Sequence, residues 1–314
     1  MQRTPSSSSL LAIALCAAAW GCDAGPGPVR CTVGADCASG ICLPDHTCAA
    51  PQDRDAGPRT DAGSLPDGSA TDAGAFDGGS SGLCRPNGDG VITREEAPFG
   101  PNLMARYVTA LDVGVDSAGS TVGGTRTWDY AGSLPGDRNL DLDTGEIAGR
   151  WFADRYPGAD YVVRLSGESE LLGVFRTTAT SLELLGVVSP TDGVTRTQLT
   201  YAPAVKVLVF PLQAGARWTS DVRVTGFAEG LAVNYGEVYE NEVDAAGEVI
   251  TPYAPFDALR VRVTLTRDLT FSRVTVRQLL FVTECFGTIA TLVSEEGETQ
   301  VEFDRAAEIR RLGF

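Results

Sequence analysis

One segment of this chain alternates strictly between apolar and polar side chains, and that pattern narrows the fold more than any other feature. The apolar positions are Leu259, Val261, Val263 and Leu265, and the polar positions are Arg260, Arg262, Thr264 and Thr266. A second alternation sets Trp218, Val222 and Val224 against Thr219, Asp221, Arg223 and Thr225. Because successive side chains of a β-strand point to opposite faces, both segments are predicted to be strands with one buried face.

Similar short segments fill the region from about residue 100 to residue 314. Turn signals separate them at Asp192-Gly193, Glu229-Gly230, Ala246-Gly247 and Glu296-Gly297. The other predicted strands are 105–113, 125–130, 161–165, 170–176, 181–188, 194–200, 205–210, 231–243, 247–251, 274–283, 287–293 and 299–303. A brief helix is predicted near residues 151–156. Short strands joined by tight turns predict an all-β fold, an antiparallel meander that forms a curved sheet, a sandwich or a partial barrel.

The first 21 residues have the layout of a secretory signal peptide. Arg3 precedes an apolar run over residues 10–20, which is too short to remain in a bilayer as a spanning helix. The run ends at Ala19-Trp20-Gly21-Cys22, which resembles the bacterial lipobox, where the Cys becomes the lipidated mature N-terminus. This resemblance implies lipidation at Cys22 and an exported protein that is lipid-anchored in the bacterial cell envelope, at the outer membrane or cell surface. Ordinary cleavage with full secretion is the alternative.

Three segments are predicted between the leader and the β-domain of residues 84–314. Residues 22–30 form a lipidated tether, residues 31–48 form a cysteine-rich module, and residues 49–83 form a linker. The linker consists mainly of Asp, Ala, Gly, Ser and Pro and has almost nothing to bury, so it is predicted to be disordered. Its predicted role is to let the β-domain stand away from the membrane.

The cysteine-rich module is predicted to contain two disulfides, because its four cysteines follow an export signal. They are Cys31, Cys37, Cys42 and Cys48. Three pairings are open, and Cys31–Cys42 with Cys37–Cys48 is favoured. A four-Cys zinc site is the alternative, but its ligands normally come in two close pairs and these spacings are wider.

Cys84 and Cys285 remain after the other cysteines are assigned, since Cys16 leaves with the leader and Cys22 takes the lipid. Free thiols seldom persist in an oxidising compartment, so Cys84 and Cys285 are predicted to form a disulfide with each other. The alternative is that one of them pairs with the cysteine-rich module or with a second chain.

Residues 84–98 resemble a single calcium loop of the EF-hand or dockerin type. The loop would use Asn87, Asp89, the Val91 carbonyl, Thr93 and Glu96 as ligands. Arg85 stands where the first carboxylate is expected, and Pro86 interrupts the entering helix. The alternative is a metal-free turn, which Asn-Gly-Asp-Gly also forms well. No other cofactor is predicted.

Composition excludes several classes of function. The net charge of −16 argues against nucleic-acid binding, which needs a basic face. His46 is the only histidine, so the β-domain has neither a His-dependent catalytic triad nor a His-ligated zinc. Ser-Lys catalysis would need Lys206, and no Ser-x-x-Lys motif precedes it. Carboxylates are plentiful, so a glycosidase-like acid pair stays an alternative, but no spacing singles out such a pair. The chain is predicted not to be an enzyme.

Two clusters in the sequence allow a ligand-binding interpretation and a structural one. Five arginines could bind an anionic ligand or glycan, but cross-strand pairing with Glu237, Glu240 and Glu242 is favoured. They are Arg260, Arg262, Arg267, Arg273 and Arg277. Six aromatic residues could line a groove, but packing in the core and at its rim is favoured. They are Trp128, Tyr130, Trp151, Phe152, Tyr156 and Tyr161.

Two phrases carry a further resemblance, at residues 210–218 and 250–261. Phe-Pro-Leu-Gln-Ala-Gly-Ala-Arg-Trp and Ile-Thr-Pro-Tyr-Ala-Pro-Phe-Asp-Ala-Leu-Arg-Val resemble phrases of uncharacterised exported bacterial surface lipoproteins. The role of those proteins is unknown, so the resemblance implies no particular function. The chain is predicted to be a non-enzymatic binding or structural component of the cell envelope, with an envelope protein, glycan or lipid as its partner. The alternative is a carrier or sensor that holds a lipid-like ligand in the concavity of the sheet.

Overall fold

The computed structural model describes residues 84–269 and 272–314, so every prediction for residues 1–83 lies outside the described residues. This part of the chain is almost entirely β-structure, and a single 3-10 turn at Ala153–Arg155 stands where a brief helix was predicted. The strands are β1 Val91–Ile92, β2 Met104–Gly114, β3 Ser120–Val122, β4 Thr125–Asp129, β5 Arg138–Asp143, β6 Gly145–Glu146, β7 Tyr161–Arg164, β8 Leu172–Thr177, β9 Ser181–Val188, β10 Gln198–Val209, β11 Leu212–Gln213, β12 Arg217–Ala228, β13 Leu231–Ile250, β14 Pro255–Asp268, β15 Arg273–Thr283, β16 Gly287–Ser294 and β17 Arg305–Leu312.

Most of these strands belong to one large sheet. Its order is β5-β2-β17-β16-β15-β14-β13-β12-β10-β9-β8-β7-β6, and neighbours along this path are antiparallel. From β12 to β17 the strands follow one another along the chain, which confirms the predicted antiparallel meander. The hairpin between β12 and β13 turns at Glu229-Gly230, where both residues have positive φ angles of 51° and 81°.

The two ends of the large sheet approach each other. β5 pairs with β2 at one end and β6 pairs with β7 at the other, yet only Thr144 separates β5 from β6 along the chain. In the loop after β7, the Ser166 hydroxyl and the Gly167 amide donate hydrogen bonds of 2.7 and 2.9 Å to Glu308 on β17. The sheet is therefore curved into a partial barrel, one of the predicted forms.

The side of β14 that carries Leu259, Val261, Val263 and Leu265, here called the apolar face, is buried as predicted. Val261 belongs to one hydrophobic cluster with Tyr161 on β7 and Phe175 on β8, which lie far from β14 in the strand order. Strands so far apart in the sheet share a cluster only if the sheet curls with this face inside. The apolar face therefore lines the interior of the partial barrel, and large side chains fill it.

The opposite side of β14, here called the arginine face, carries Arg260, Arg262 and Thr264 and is covered by a second layer over part of its length. β3 and β4 form a small hairpin, and β4 pairs in parallel with β13. Trp128 from β4 and Phe303 from the segment before β17 are buried in one hydrophobic cluster on this side of the sheet. The sheet thus has a buried region on each side.

Several sequence-based strand assignments are wrong. The segments 194–200 and 205–210 were predicted as two strands, but Gln198–Val209 is one strand, β10, and β3 and β5 were not predicted. A turn was predicted at Ala246-Gly247, but β13 continues through both residues to Ile250. A Cβ at Gly247 would lie 2.1 Å from the Arg126 carbonyl oxygen, so this glycine allows β4 to approach rather than making a turn. A strand was predicted at 299–303, but those residues are irregular and the strand that follows is β17, which was not predicted.

Among the described residues, no helix combines the length and the apolar character that a membrane span requires.

Candidate binding surface

The structure contains the disulfide between Cys84 and Cys285, with the two Cα atoms 5.4 Å apart. The Cys285 amide also donates a 2.7 Å hydrogen bond to the carbonyl of Glu96. Further along the loop, β1 pairs with β11. The loop of residues 84–98 is therefore held against the domain by a covalent bond and by backbone hydrogen bonds, and residues 1–83 join the domain at the disulfide.

The residues predicted to bind calcium lie in one hydrogen-bond network. The Asn87 side-chain nitrogen donates to Glu96 at 2.8 Å and to Asp89 at 3.2 Å, while the Asn87 side-chain oxygen accepts from the Asp89 amide. Glu96 also accepts from the amide and the hydroxyl of Thr93, and Asp89 accepts from the Val91 amide. An amide nitrogen thus lies between the two carboxylates, in the position that a cation would need.

This arrangement does not fit calcium without a change in the Asn87 side chain, because its NH2 group rather than its oxygen is directed at the two carboxylates. Over residues 84–269 and 272–314, no group of three or more His, Cys, Asp or Glu side chains is placed to hold a metal ion. The network satisfies the polar groups of the turn by itself. The calcium site stays a prediction.

The five clustered arginines have partners, as the structural interpretation predicted. Arg267 bonds to the buried Glu237 at 2.7 Å, and Arg262 bonds to Glu242. Arg260 donates hydrogen bonds to Asp244 and Glu302, and Arg273 donates to Asp268. Arg277 donates to the backbone carbonyls of Glu298 and Thr299. Glu240, which was also expected to pair, is not among these partners. An anionic ligand would have to compete with these internal acceptors.

A groove of about 270 Å³ lies on the arginine face over β12, β13 and β14. Glu242 lies in it between Arg217 and Arg262 and forms ion pairs with both. Burial alone would raise the pKa of Glu242, but hydrogen bonds and the charges of the two arginines outweigh it and hold that pKa below its usual value. The charges of this groove neutralise one another.

The six aromatic residues that cluster in the sequence do not form a groove. Trp128, Tyr130, Phe152, Tyr156 and Tyr161 are buried, and they belong to three different hydrophobic clusters. Trp151 packs at the edge of the cluster that contains Phe152. The prediction that these rings serve the core and its rim is confirmed.

A different set of aromatic rings lies together, here called the aromatic patch: Tyr253, Phe286 and Phe314 are exposed, and Phe256 is half-buried beside them. Tyr253 is central, with its ring centroid 6.3 Å from Phe256, 6.4 Å from Phe286 and 5.5 Å from Phe314. Phe256 and Phe286 are 5.0 Å apart. Phe286 directly follows Cys285, so the patch borders the disulfide at which residues 1–83 join the domain.

Sequence reasoning missed this patch because its members are scattered. They come from the β13–β14 connection, from β14, from the turn before β16 and from the residues after β17. No local period or motif links them. The one available signal was the Tyr-Ala-Pro-Phe sequence at 253–256, which lies within the phrase at residues 250–261.

Comparisons with known proteins identify no family for this chain. No protein-family model matches the chain, and no curated protein matches it. Among solved structures, the chain is similar to a crystal structure described as a "putative lipoprotein" from Parabacteroides distasonis, with 9% sequence identity and a TM-score of 0.30. The similarity covers 68% of this chain and 95% of that one. At this level of similarity no function is transferred.

Proposed function

We propose that this protein is an exported lipoprotein, anchored to a membrane of the cell envelope through Cys22, and that its β-domain is a non-enzymatic binding or structural component. The leader that ends at Gly21-Cys22 supports the anchor. The absence of histidine after His46 and the internal pairing of the arginine cluster support a role without catalysis.

The aromatic patch is the observation that carries the binding role. Large exposed apolar groups that lie together mark contact sites on soluble domains, whereas scattered ones need no explanation. Tyrosine and phenylalanine also offer much contact area for little loss of conformational freedom. The patch lies beside Cys285, so a partner bound there would lie next to the point where the tether meets the domain.

The filled interior favours this role over the carrier alternative. A carrier needs an apolar cavity large enough for its ligand. Here apolar side chains from strands β7 to β15, including those of the apolar face of β14, pack against each other within one cluster. The loop after β7 also crosses to Glu308 on β17. A lipid-like ligand would have to displace these packed groups.

Mass spectrometry of the protein purified from membranes tests the anchor. We expect a diacylglyceryl group on Cys22 and partition of the protein into the detergent phase. Cys22→Ser should abolish both, whereas Cys16→Ser, which changes a leader residue, should leave both unchanged. A Cys22→Ser protein that keeps its mass and its membrane association would contradict the proposal.

Cross-linking in native membranes tests the binding role. We expect Tyr253→Ser combined with Phe286→Ser to lose cross-links that the unmodified protein forms, while Val194→Ser combined with Leu231→Ser keeps them. Val194 and Leu231 are suitable controls because both are exposed apolar residues outside the patch. Equal cross-linking by the two double variants would remove the patch from the binding role.

A further inference from the structure

The aromatic patch has the chemistry of a surface that meets a lipid interface. The exposed fraction of its three exposed residues rises from 37% at Tyr253 through 46% at Phe286 to 78% at Phe314. Tyrosine and tryptophan are enriched where proteins meet the headgroup region of a bilayer, since one end of the side chain is apolar and the other stays hydrated. Phenylalanine is among the residues that interfacial segments bury in the apolar boundary.

The charges beside the patch suit a neutral headgroup better than an anionic one. Arg106 donates a hydrogen bond to the Phe314 carbonyl, and Asp141 pairs with Arg106 at 2.6 Å. The protein as a whole carries a net charge of −16, which repels anionic lipids at long range. Contact with the lipid must therefore rest on the apolar rings.

The position of the patch indicates which membrane surface lies within its reach. Residues 1–83 join the domain at Cys84, and Cys84 is bonded to Cys285, the neighbour of Phe286. The predicted anchor, Cys22, precedes Cys84 by 62 residues. The predicted linker of residues 49–83 would by itself span roughly 30–35 Å on average if it is disordered as the sequence predicts. Anchoring through such a linker would raise the effective concentration of the patch at the same membrane, which favours even a weak contact.

We propose that the aromatic patch docks on the surface of the bilayer that carries the anchor, at neutral lipid headgroups, and so holds the β-domain against the membrane beside its tether. This inference rests on the proposed function for the anchor. It adds a second, non-covalent contact that orients the domain, and it replaces the linker's predicted role as a spacer that lets the β-domain stand away from the membrane.

Fluorescence quenching by brominated phosphatidylcholine tests the docking in the full-length protein. A tryptophan is placed in the patch by Tyr253→Trp, and a matched one is placed at the other end of β13 by Leu231→Trp. These sites are 22 residues apart, and the 20-residue β13 occupies most of that distance. The same chain without either change gives the signal of the native tryptophans.

We expect Tyr253→Trp to lose fluorescence on brominated vesicles beyond the loss of the parent chain, and Leu231→Trp to show no additional loss. Adding Phe286→Ser to Tyr253→Trp should weaken docking about tenfold for the lost ring. Flotation of the protein with the vesicles reports the anchor separately. If the chain does not float, the same comparison at millimolar lipid still reports docking by the patch.

Equal quenching of the two tryptophan variants would overturn the proposal. So would a detergent-solubilised dimer that Tyr253→Ser dissociates, because the patch would then join two copies of the chain. Protection of the patch by residues 1–83 would appear as a Tyr253→Trp signal that is insensitive to lipid, and this result also contradicts docking.

Discussion

Both faces of β14 are buried where they pack against hydrophobic clusters, but the two faces carry different kinds of side chain. On the apolar face, Leu259, Val261 and Val263 pack against aliphatic and aromatic side chains inside the partial barrel. On the arginine face, Arg260 is only 1% exposed and lies among Asp244, Glu302 and the ring of Trp128. The strict alternation therefore identified which residues share a face. It did not show whether the polar face is exposed to solvent or buried.

Burial makes the arginine face sensitive to the loss of any one partner. Taking a guanidinium and two carboxylates from water costs several kcal/mol per ion, which is offset only while all the partners are in place. Arg260 donates to both carboxylates and to the Ser117 carbonyl, so its donors are well satisfied. On the apolar face, a lost side chain leaves a cavity, and neighbouring groups can partly relax into it.

The largest expected effect comes from Arg260→Ala. Removing the guanidinium leaves Asp244 and Glu302 partly buried without their main partner, and we expect the free energy of unfolding to fall by about 3–5 kcal/mol. Urea unfolding followed by circular dichroism measures this loss. A change as small as that of an exposed pair would show that water replaces the guanidinium at little cost.

Leu259→Ala probes the apolar face on the same strand. We expect a loss of about 2–4 kcal/mol, because the change removes buried methyl groups and leaves a cavity. The same urea experiment applies, with Leu269→Ala as a control because Leu269 is an exposed apolar residue directly after β14. A loss larger than that of Arg260→Ala would reverse the contrast between the faces.

Acid should affect the arginine face selectively. Burial raises the pKa of Glu302, but the hydrogen bond and charge of Arg260 outweigh it and hold that pKa below its usual value. A carboxylate with a lowered folded-state pKa stabilises the fold above the unfolded pKa of about 4.3, and that contribution is lost as the pH falls through the folded value. We expect the stability lost between about pH 5 and pH 3 to be smaller in Glu302→Gln than in the unmodified protein.

Leu259→Ala is the control for the acid experiment, since it should lower stability at every pH without changing the acid dependence. Thermal unfolding across the pH range measures both variants. If Glu302→Gln keeps the full acid dependence, other carboxylates account for it and Glu302 contributes little.

The smallest effect is expected at Arg262, two residues from Arg260 on the same face. Its side chain is 28% exposed and pairs with Glu242 in the open groove. Pairs that remain hydrated contribute up to about 1 kcal/mol, so Arg262→Ala should cost far less than Arg260→Ala. Similar losses for the two variants would mean that burial does not determine how much these ion pairs contribute to the free energy of unfolding.

Local pattern predicted much of the sheet and little of the candidate surface. The strands with one apolar side, such as β12 and β14, were predicted with their faces in the correct phase. β17 was missed because Glu308 and Arg311 are buried among its apolar residues and interrupt the alternation. The aromatic patch was missed because Tyr253, Phe286 and Phe314 meet only after the sheet has curved.

The sequence by itself determined the all-β class, the phase of the apolar face and the Cys84–Cys285 disulfide. These follow from the two-residue period of a strand and from the count of cysteines left over, which depend on no distant contact. Only the tertiary structure decided that Arg260 is buried, that the Asn87 amide lies between Asp89 and Glu96, and that three exposed rings and the half-buried Phe256 form one patch. Each of these depends on segments that are distant in the chain or on the exact direction of a side chain, and a local pattern carries no information about either.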